Sequence, residues 1–191
     1  MTINFESENL VLRLWFLIHR VRDVLMTCED QVFGEYDLTS EQYSVLMTIK
    51  YLREPVRVTD IANWLERSTN SISMIVDRMV KAGLLRRVRD RKDRRVVNVF
   101  ISSKGEKALK PATVTGLEFI REVLSLSYED RRTLISLLQT VKYKAFKYLD
   151  PEIDVAEMIR NETKSQADLF ERLTQYISPS IPEAKRQGGE K

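Results

Sequence analysis

The sequence predicts a mainly α chain with one small β wing: a winged helix-turn-helix with long dimerisation helices towards both ends. Three observations predict it. In residues 84–101, two β-prone runs, 84–88 and 96–101, enclose the charged tip Asp90-Arg91-Lys92-Asp93-Arg94-Arg95. Just before them, two short helical patterns meet at the polar turn Arg67-Ser68-Thr69. On either side of this unit the apolar residues recur at spacings of three and four over long stretches, the period of an amphipathic helix. A hairpin with a basic tip placed directly after a helix-turn-helix is the make-up of a winged helix, and such a tip is built to meet phosphate.

Each element has a local reason. Residues 9–33 read as one long helix, with Leu10, Leu14, Leu17, Val21, Leu25 and Cys28 along one side. Trp15, Phe16 and Ile18 widen that face beyond what one helical neighbour covers, and Gly34 is the expected stop. Thr39-Ser40-Glu41-Gln42 has the form of a capping box. The helix it opens ends near Leu52, because Pro55 forbids continuation. Thr59 is the expected cap of the next short helix, with Ile61, Ala62 and Leu65 facing inward. A second helix, 69–82, buries Ile72, Ile75, Val76 and Met79, and Gly83 supplies its left-handed end. After the hairpin, Ser103-Lys104-Gly105-Glu106 reads as another S-x-x-E start. It opens a helix to about 126, bent or loosened at Pro111 and Gly116. Ser127 opens a helix to about 149 that carries Leu134, Leu137, Leu138, Val141, Ala145 and Tyr148 on one side. A further helical pattern covers 152–177, and the tail 178–191, with two prolines and two glycines, is expected to be disordered. The expected division is a dimerisation helix (1–37), a winged head (38–102), C-terminal dimerisation helices (103–150), an extra helix (151–177) and the tail.

Charge distribution narrows the partner. The whole chain of 191 residues carries only +3, but residues 57–95 hold 11 Lys/Arg against 5 Asp/Glu, a net of +6, which leaves −3 for the remainder. A basic segment on a mildly acidic body is the footprint of a nucleic-acid reader. Cys28 and His19 are the single cysteine and histidine, so neither an internal disulfide nor a Cys/His zinc site is available within one chain. Cys28 lies on the apolar spacing of its helix and is followed by two acids, which favours a packed thiol over a redox sensor. No secretory leader pattern is visible, the apolar run 10–18 is too short to span a membrane and carries Arg13, and a cytoplasmic location is expected. With no Gly-rich phosphate loop, metal cluster or nucleophile–base pair in the sequence, no enzyme activity, catalytic residue, metal or cofactor is expected.

The segments Leu38-Thr39-Ser40-Glu41-Gln42-Tyr43-Ser44-Val45-Leu46, Ile61-Ala62 and Val76-Asp77-Arg78-Met79-Val80-Lys81-Ala82-Gly83-Leu84-Leu85, in this order, carry a resemblance: the sequence resembles the MarR (multiple antibiotic resistance regulator) family of bacterial transcription factors. The wing Asp90-Arg91-Lys92-Asp93-Arg94-Arg95 resembles the family's D-x-R-D-x-R pattern with Lys92 in place of the first Arg. Val99-Phe100-Ile101-Ser102-Ser103-Lys104-Gly105 and Ser127-Tyr128-Glu129-Asp130-Arg131-Arg132 also fit. The match spans roughly three quarters of the chain, and the extension after Pro151 is longer than the family core. The resemblance implies a homodimer that binds double-stranded DNA and regulates transcription, most often as a repressor.

On this reading Thr69, Asn70, Ser71, Ser73, Met74 and Arg78 of the second helix face the DNA. Asn70 is suited to adenine, Met74 to a thymine methyl and Arg78 to phosphate. Family members often carry Arg where Met74 stands, so a guanine reader is missing here. In the wing, the resemblance makes Arg95, braced by Asp93, the first choice for insertion into the minor groove, with Arg91 and Arg94 next. Arg86, Arg87, Arg89 and Lys92 are expected on phosphates. Twofold pairing would set the two reading helices about 34 Å apart, one DNA turn. Trp15, Phe16, Tyr43 and Met47 have two readings, core aromatics or a pocket for a small aromatic effector. A winged-helix module that binds an acidic protein partner is the competing function.

Overall fold

The computed structural model describes residues 5–90, 93–94 and 96–177. The element order is α1 (Phe5–Gly34), α2 (Ser40–Leu52), β1 (Val56–Arg57), α3 (Val58–Trp64), α4 (Thr69–Lys81), β2 (Leu85–Arg89), β3 (Val97–Ile101), α5 (Ser103–Val123), α6 (Tyr128–Leu149) and α7 (Val155–Ile177). The chain divides into two compact units, 1–117 and 118–191. The division falls inside α5, whose first part packs with the head. Arg91, Lys92, Arg95 and the tail 178–191 lie outside the described residues.

In the first unit the core is built where α2, α3, α4 and the sheet meet. Leu46, Ile49, Ile61, Ile72, Val76, Met79, Val99 and Leu109 are fully buried, and each large aliphatic side chain taken from water contributes about 1.5–3 kcal/mol. The sheet has three antiparallel strands in the order β1-β3-β2. β2 and β3 pair from Leu85↔Ile101 to Arg89↔Val97, and Val56↔Val99 adds β1 to the other edge of β3. Side chains alternate across a strand, so Leu85, Arg87 and Arg89 share one face with Val97, Val99 and Ile101. Arg86, Val88, Asn98 and Phe100 share the other.

Local chemistry at the helix ends differs from expectation in three places. Thr39 does cap α2: its Oγ1 accepts from Gln42 N (3.2 Å), and Gln42 Oε1 accepts from Thr39 N (3.0 Å). Thr59, however, lies inside α3, whose cap position is Arg57, with the Asp60 carboxylate accepting from Arg57 N at 2.8 Å. α5 is capped by Ser102, one residue before the expected Ser103, through Gly105 N–H to Ser102 Oγ (3.0 Å). The turn after α1 places Asp37, not Gly34, in the left-handed region (φ 57°), while Gly83 adopts it as expected (φ 74°).

Pro111 and Gly116 do not interrupt α5, which runs unbroken from Ser103 to Val123. Gly116 serves close packing: a Cβ there would stand 2.8 Å from the Phe33 ring. The strand β1 leaves no signal in the sequence because two residues carry no periodicity.

In the second unit, α6 and α7 form a pair. Lys142 Nζ and Tyr143 Oη both donate to Glu162, at 3.2 and 2.6 Å. α6 buries none of its residues. No helix among the described residues is long and apolar enough to cross a membrane.

Candidate nucleic-acid interface

The reading helix is set by the turn that precedes it. Glu66 sits in the left-handed region (φ 52°), Arg67 N–H bonds Ala62 O (3.0 Å), and Ser68 caps α4 by accepting from Ser71 N (3.2 Å). Ile72, Ile75, Val76 and Met79 are all buried, and this fixes the rotation of α4 about its axis. The opposite side presents Thr69, Asn70, Met74, Asp77 and Arg78 to solvent, with Ser71 and Ser73 half-buried beside them. The structure therefore brings the six expected reading residues onto one end and one side of a single helix. Its C-terminal end is tied down as well. Lys104 Nζ donates to Ala82 O (3.0 Å) and Ser102 Oγ to Gly83 O (2.6 Å).

Asp77 has a different role from its neighbours. Its carboxylate is paired with Arg87 of β2, both side chains partly exposed, so it links α4 to the wing strand. Arg86, on the other face of the sheet, lies over the Phe100 ring with its guanidinium carbon 4.8 Å from the centroid. The arginines of β2, adjacent in sequence, are thus divided between two surfaces by the strand's twofold alternation, and composition alone conceals that.

At the wing, Asp90 N–H bonds Val96 O and Val96 N–H bonds Asp93 O, both at 2.9 Å. Asp90 Oδ1 accepts from Asp93 N (3.1 Å), so one acid of the tip organises the turn backbone itself. Asp93 and Arg94 are exposed. The expected roles of Arg91, Lys92 and Arg95 fall outside the described residues.

The four aromatic and sulfur residues weighed as an effector pocket do not gather within one chain. Tyr43 stacks on Phe33 (centroids 3.9 Å apart, planes at 14°), and Met47 Sδ accepts from Thr113 Oγ1 at 3.5 Å. Burial raises the Tyr43 pKa, opposed by the hydrogen bond with Thr113; burial, and after it Asp30, raises that of Glu29. Trp15 and Phe16 belong to the exposed half of α1, where Trp15 makes an edge contact with His19. Phe16 precedes Phe33 by 17 residues, which is ~25 Å along a helix. Among the described residues no group of His, Cys, Asp and Glu is arranged to hold a metal ion.

Comparison with known proteins fits this geometry. A family profile described as the MarR family matches residues 38–97, the span from α2 into the wing. The HTH-type transcriptional regulator MgrA of Staphylococcus aureus is 29% identical over 137 residues, covering 71% of this chain and 92% of MgrA. Two solved structures share the fold. The S. aureus MepR–DNA complex superposes with a TM-score of 0.64 at 22% identity, covering 68% of this chain and 96% of MepR. The organohalide-sensing regulator RdhR-CbdbA1625, in its 2,4-dichlorophenol-bound form, gives 0.70 at 19%, covering 78% and 88%.

Proposed function

We propose that the chain is a DNA-binding transcriptional regulator of the MarR type, in line with the family profile over 38–97 and the 29% identity to MgrA, and that it is a twofold homodimer that represses transcription from a near-palindromic operator. The observation that carries the proposal is the exposed side of α4 set beside the wing strand, with Asp77 of the one paired to Arg87 of the other. Thr69, Asn70, Ser71, Ser73 and Met74 meet base edges in the major groove, and Arg78 holds phosphate. Arg91, Arg94 and Arg95 reach the minor groove, with Arg86 and Lys92 on the backbone and Asp93 bracing the tip.

Dimerisation is supported by the apolar side chains that α1 and α6 leave exposed in a single chain. Release by a small aromatic effector is part of the same reading, in line with the RdhR neighbour solved with a chlorinated phenol. The effector would act by changing the separation or tilt of the two heads, since affinity falls when their spacing misses one DNA turn.

The test is a duplex carrying the inverted repeat of the gene's own promoter. Replacing Arg91, Arg94 and Arg95 together by Gln should weaken binding by about a hundredfold or more at physiological salt. It should also flatten the dependence of log K on log salt by roughly 0.9 for each phosphate that the variant no longer neutralises. Unchanged affinity and slope in that variant would refute the interface.

A further inference from the structure

α4 carries two methionines, five residues apart, in opposite environments. Met79 is fully buried with Ile72 and Val76, whereas Met74 is 65% exposed. Ile72, Ile75, Val76 and Met79 already fill the inward side of the helix, so Met74 has no place in the core. Among the described residues of 38–117, the large apolar side chains that stand exposed are Met74 and Val88. A lone apolar group on a surface is ordinary. Its place on this helix is what gives it meaning.

Asn70 and Arg78 lie one turn before and one turn after Met74, on the same line of the helix. Both are exposed, and Ser73 beside Met74 is half-buried. Residues 69–77 contain no Lys or Arg, and the cations of the helix, Arg78 and Lys81, stand in its last turn. The middle of the reading side therefore has no side chain for the bidentate Arg or Lys contact to guanine. It offers instead a thioether, which donates no hydrogen bond and accepts only weakly.

On the strength of the DNA reading above, we propose that Met74 makes the C5 methyl of a pyrimidine the deciding group at one position of each operator half-site. In the major groove the thymine methyl is the apolar feature that a base pair presents. Against it, Met74 buries carbon on carbon. Against a purine N7, guanine O6 or the cytosine amino group, the same side chain strips water from a polar atom and returns no hydrogen bond. 5-Methylcytosine carries its methyl at the same ring position, so it is accepted where cytosine is rejected. Four residues of helix advance ~6 Å, which puts the methyl within about two base pairs of the base that Asn70 meets.

Burial of one methyl-sized group is worth about fourfold in affinity, and the two half-sites of a twofold dimer together about tenfold or more. Selection by a methyl also makes binding respond to cytosine methylation at that position, a mark that leaves base pairing unchanged.

The experiment titrates the full chain against the promoter duplex at physiological salt, read by fluorescence anisotropy. Each thymine of the inverted repeat is replaced in turn by uracil, symmetrically in both half-sites, which removes the methyl alone. At one position per half-site the affinity should fall by about tenfold. In Met74→Ala the thymine and uracil duplexes should bind alike at that position. In Met74→Leu, which keeps an apolar tip, the preference should remain. Cytosine there should bind more weakly than thymine, and 5-methylcytosine should recover about threefold or more over cytosine. An effect of uracil on duplex flexibility alone would persist in Met74→Ala, so the pair of proteins separates contact from flexibility. Three results overturn the proposal while the unmodified duplex still binds and the DNA reading stands: no thymine position sensitive to uracil, a sensitivity unchanged in Met74→Ala, or 5-methylcytosine no better than cytosine. Failure of the unmodified duplex to bind overturns the DNA reading itself, and the role of Met74 with it.

Discussion

Leu46, Ile72 and Met79 are fully buried in the head, whereas Leu14, Phe16 and Leu137 on the long helices are 54%, 62% and 60% exposed. The contrast runs through α1 itself, which buries Phe33 near its end and exposes Phe16 near its start. The two groups are chemically alike, so hydrophobicity does not separate them. What separates them is whether this chain supplies the opposing surface. The head closes its own core from α2, α3, α4, the sheet and the first part of α5. The exposed half of α1 and the stripe on α6 are apolar too, with nothing among the described residues laid over the side chains they expose. Exposed apolar surface of this kind marks an interaction face, and under the proposed function its partner is a second copy of the chain.

The sharpest way to break that contrast is to make one substitution in each region. Leu46→Ala should cost the head about 2–5 kcal/mol, the transfer term plus the cavity left in a packed core. Thermal unfolding of the full chain reads it as a large fall in midpoint. A loss below about 1 kcal/mol would mean that the core is looser than its burial indicates. Leu137→Asp takes the other side. At a concentration where the chain is monomeric it should change stability by less than about 0.5 kcal/mol, because an exposed side chain loses little by becoming polar. In sedimentation at higher concentration it should shift the monomer–dimer equilibrium by tenfold or more, since it would bury an unpaired carboxylate in the interface. Wild-type association in that variant would assign the α6 stripe to something other than the dimer.

The same contrast explains how far the sequence can be read. The four buried positions of α4 repeat at the helical period and are bounded by Ser68 and Gly83, so helix, rotation and outward residues all follow from local pattern. The hairpin is legible because its two strands are close in the chain. Three features are not, and each depends on residues distant in sequence or on geometry without period. β1 is a two-residue strand recruited by β3 across roughly forty positions, from Val56 to Val99. Asp77 and Arg87 read as one exposed acid and one more basic residue, and only the packing of α4 on β2 brings them into a pair. The pocket reading joins Trp15 and Phe16 to Tyr43 and Met47 because all four are apolar and sit in helices. The length of α1 keeps the two pairs apart within one chain.

α7 supplies the finest probe, because polar contacts tie it to α6. Glu162 receives hydrogen bonds from Tyr143 and Lys142 on α6. Chiefly through the Tyr143 bond, its carboxyl is held below the ordinary value of 4.5. A group whose pKa is depressed on folding contributes stability that is present above its unfolded value and lost as pH falls through its folded value. The α6–α7 pairing should therefore weaken below pH 4.5 as Glu162 is protonated, over and above the acid response of the rest of the chain. Glu162→Gln keeps an acceptor for Tyr143 and removes the charge, which isolates this contribution. Helicity and unfolding midpoint measured from neutral pH into the acid range should show wild type above Glu162→Gln at neutral pH and the two converging in acid. A difference that stays constant with pH would mean that the attachment does not depend on an ionised carboxylate, and α7 would then be held by the apolar side of its helix alone.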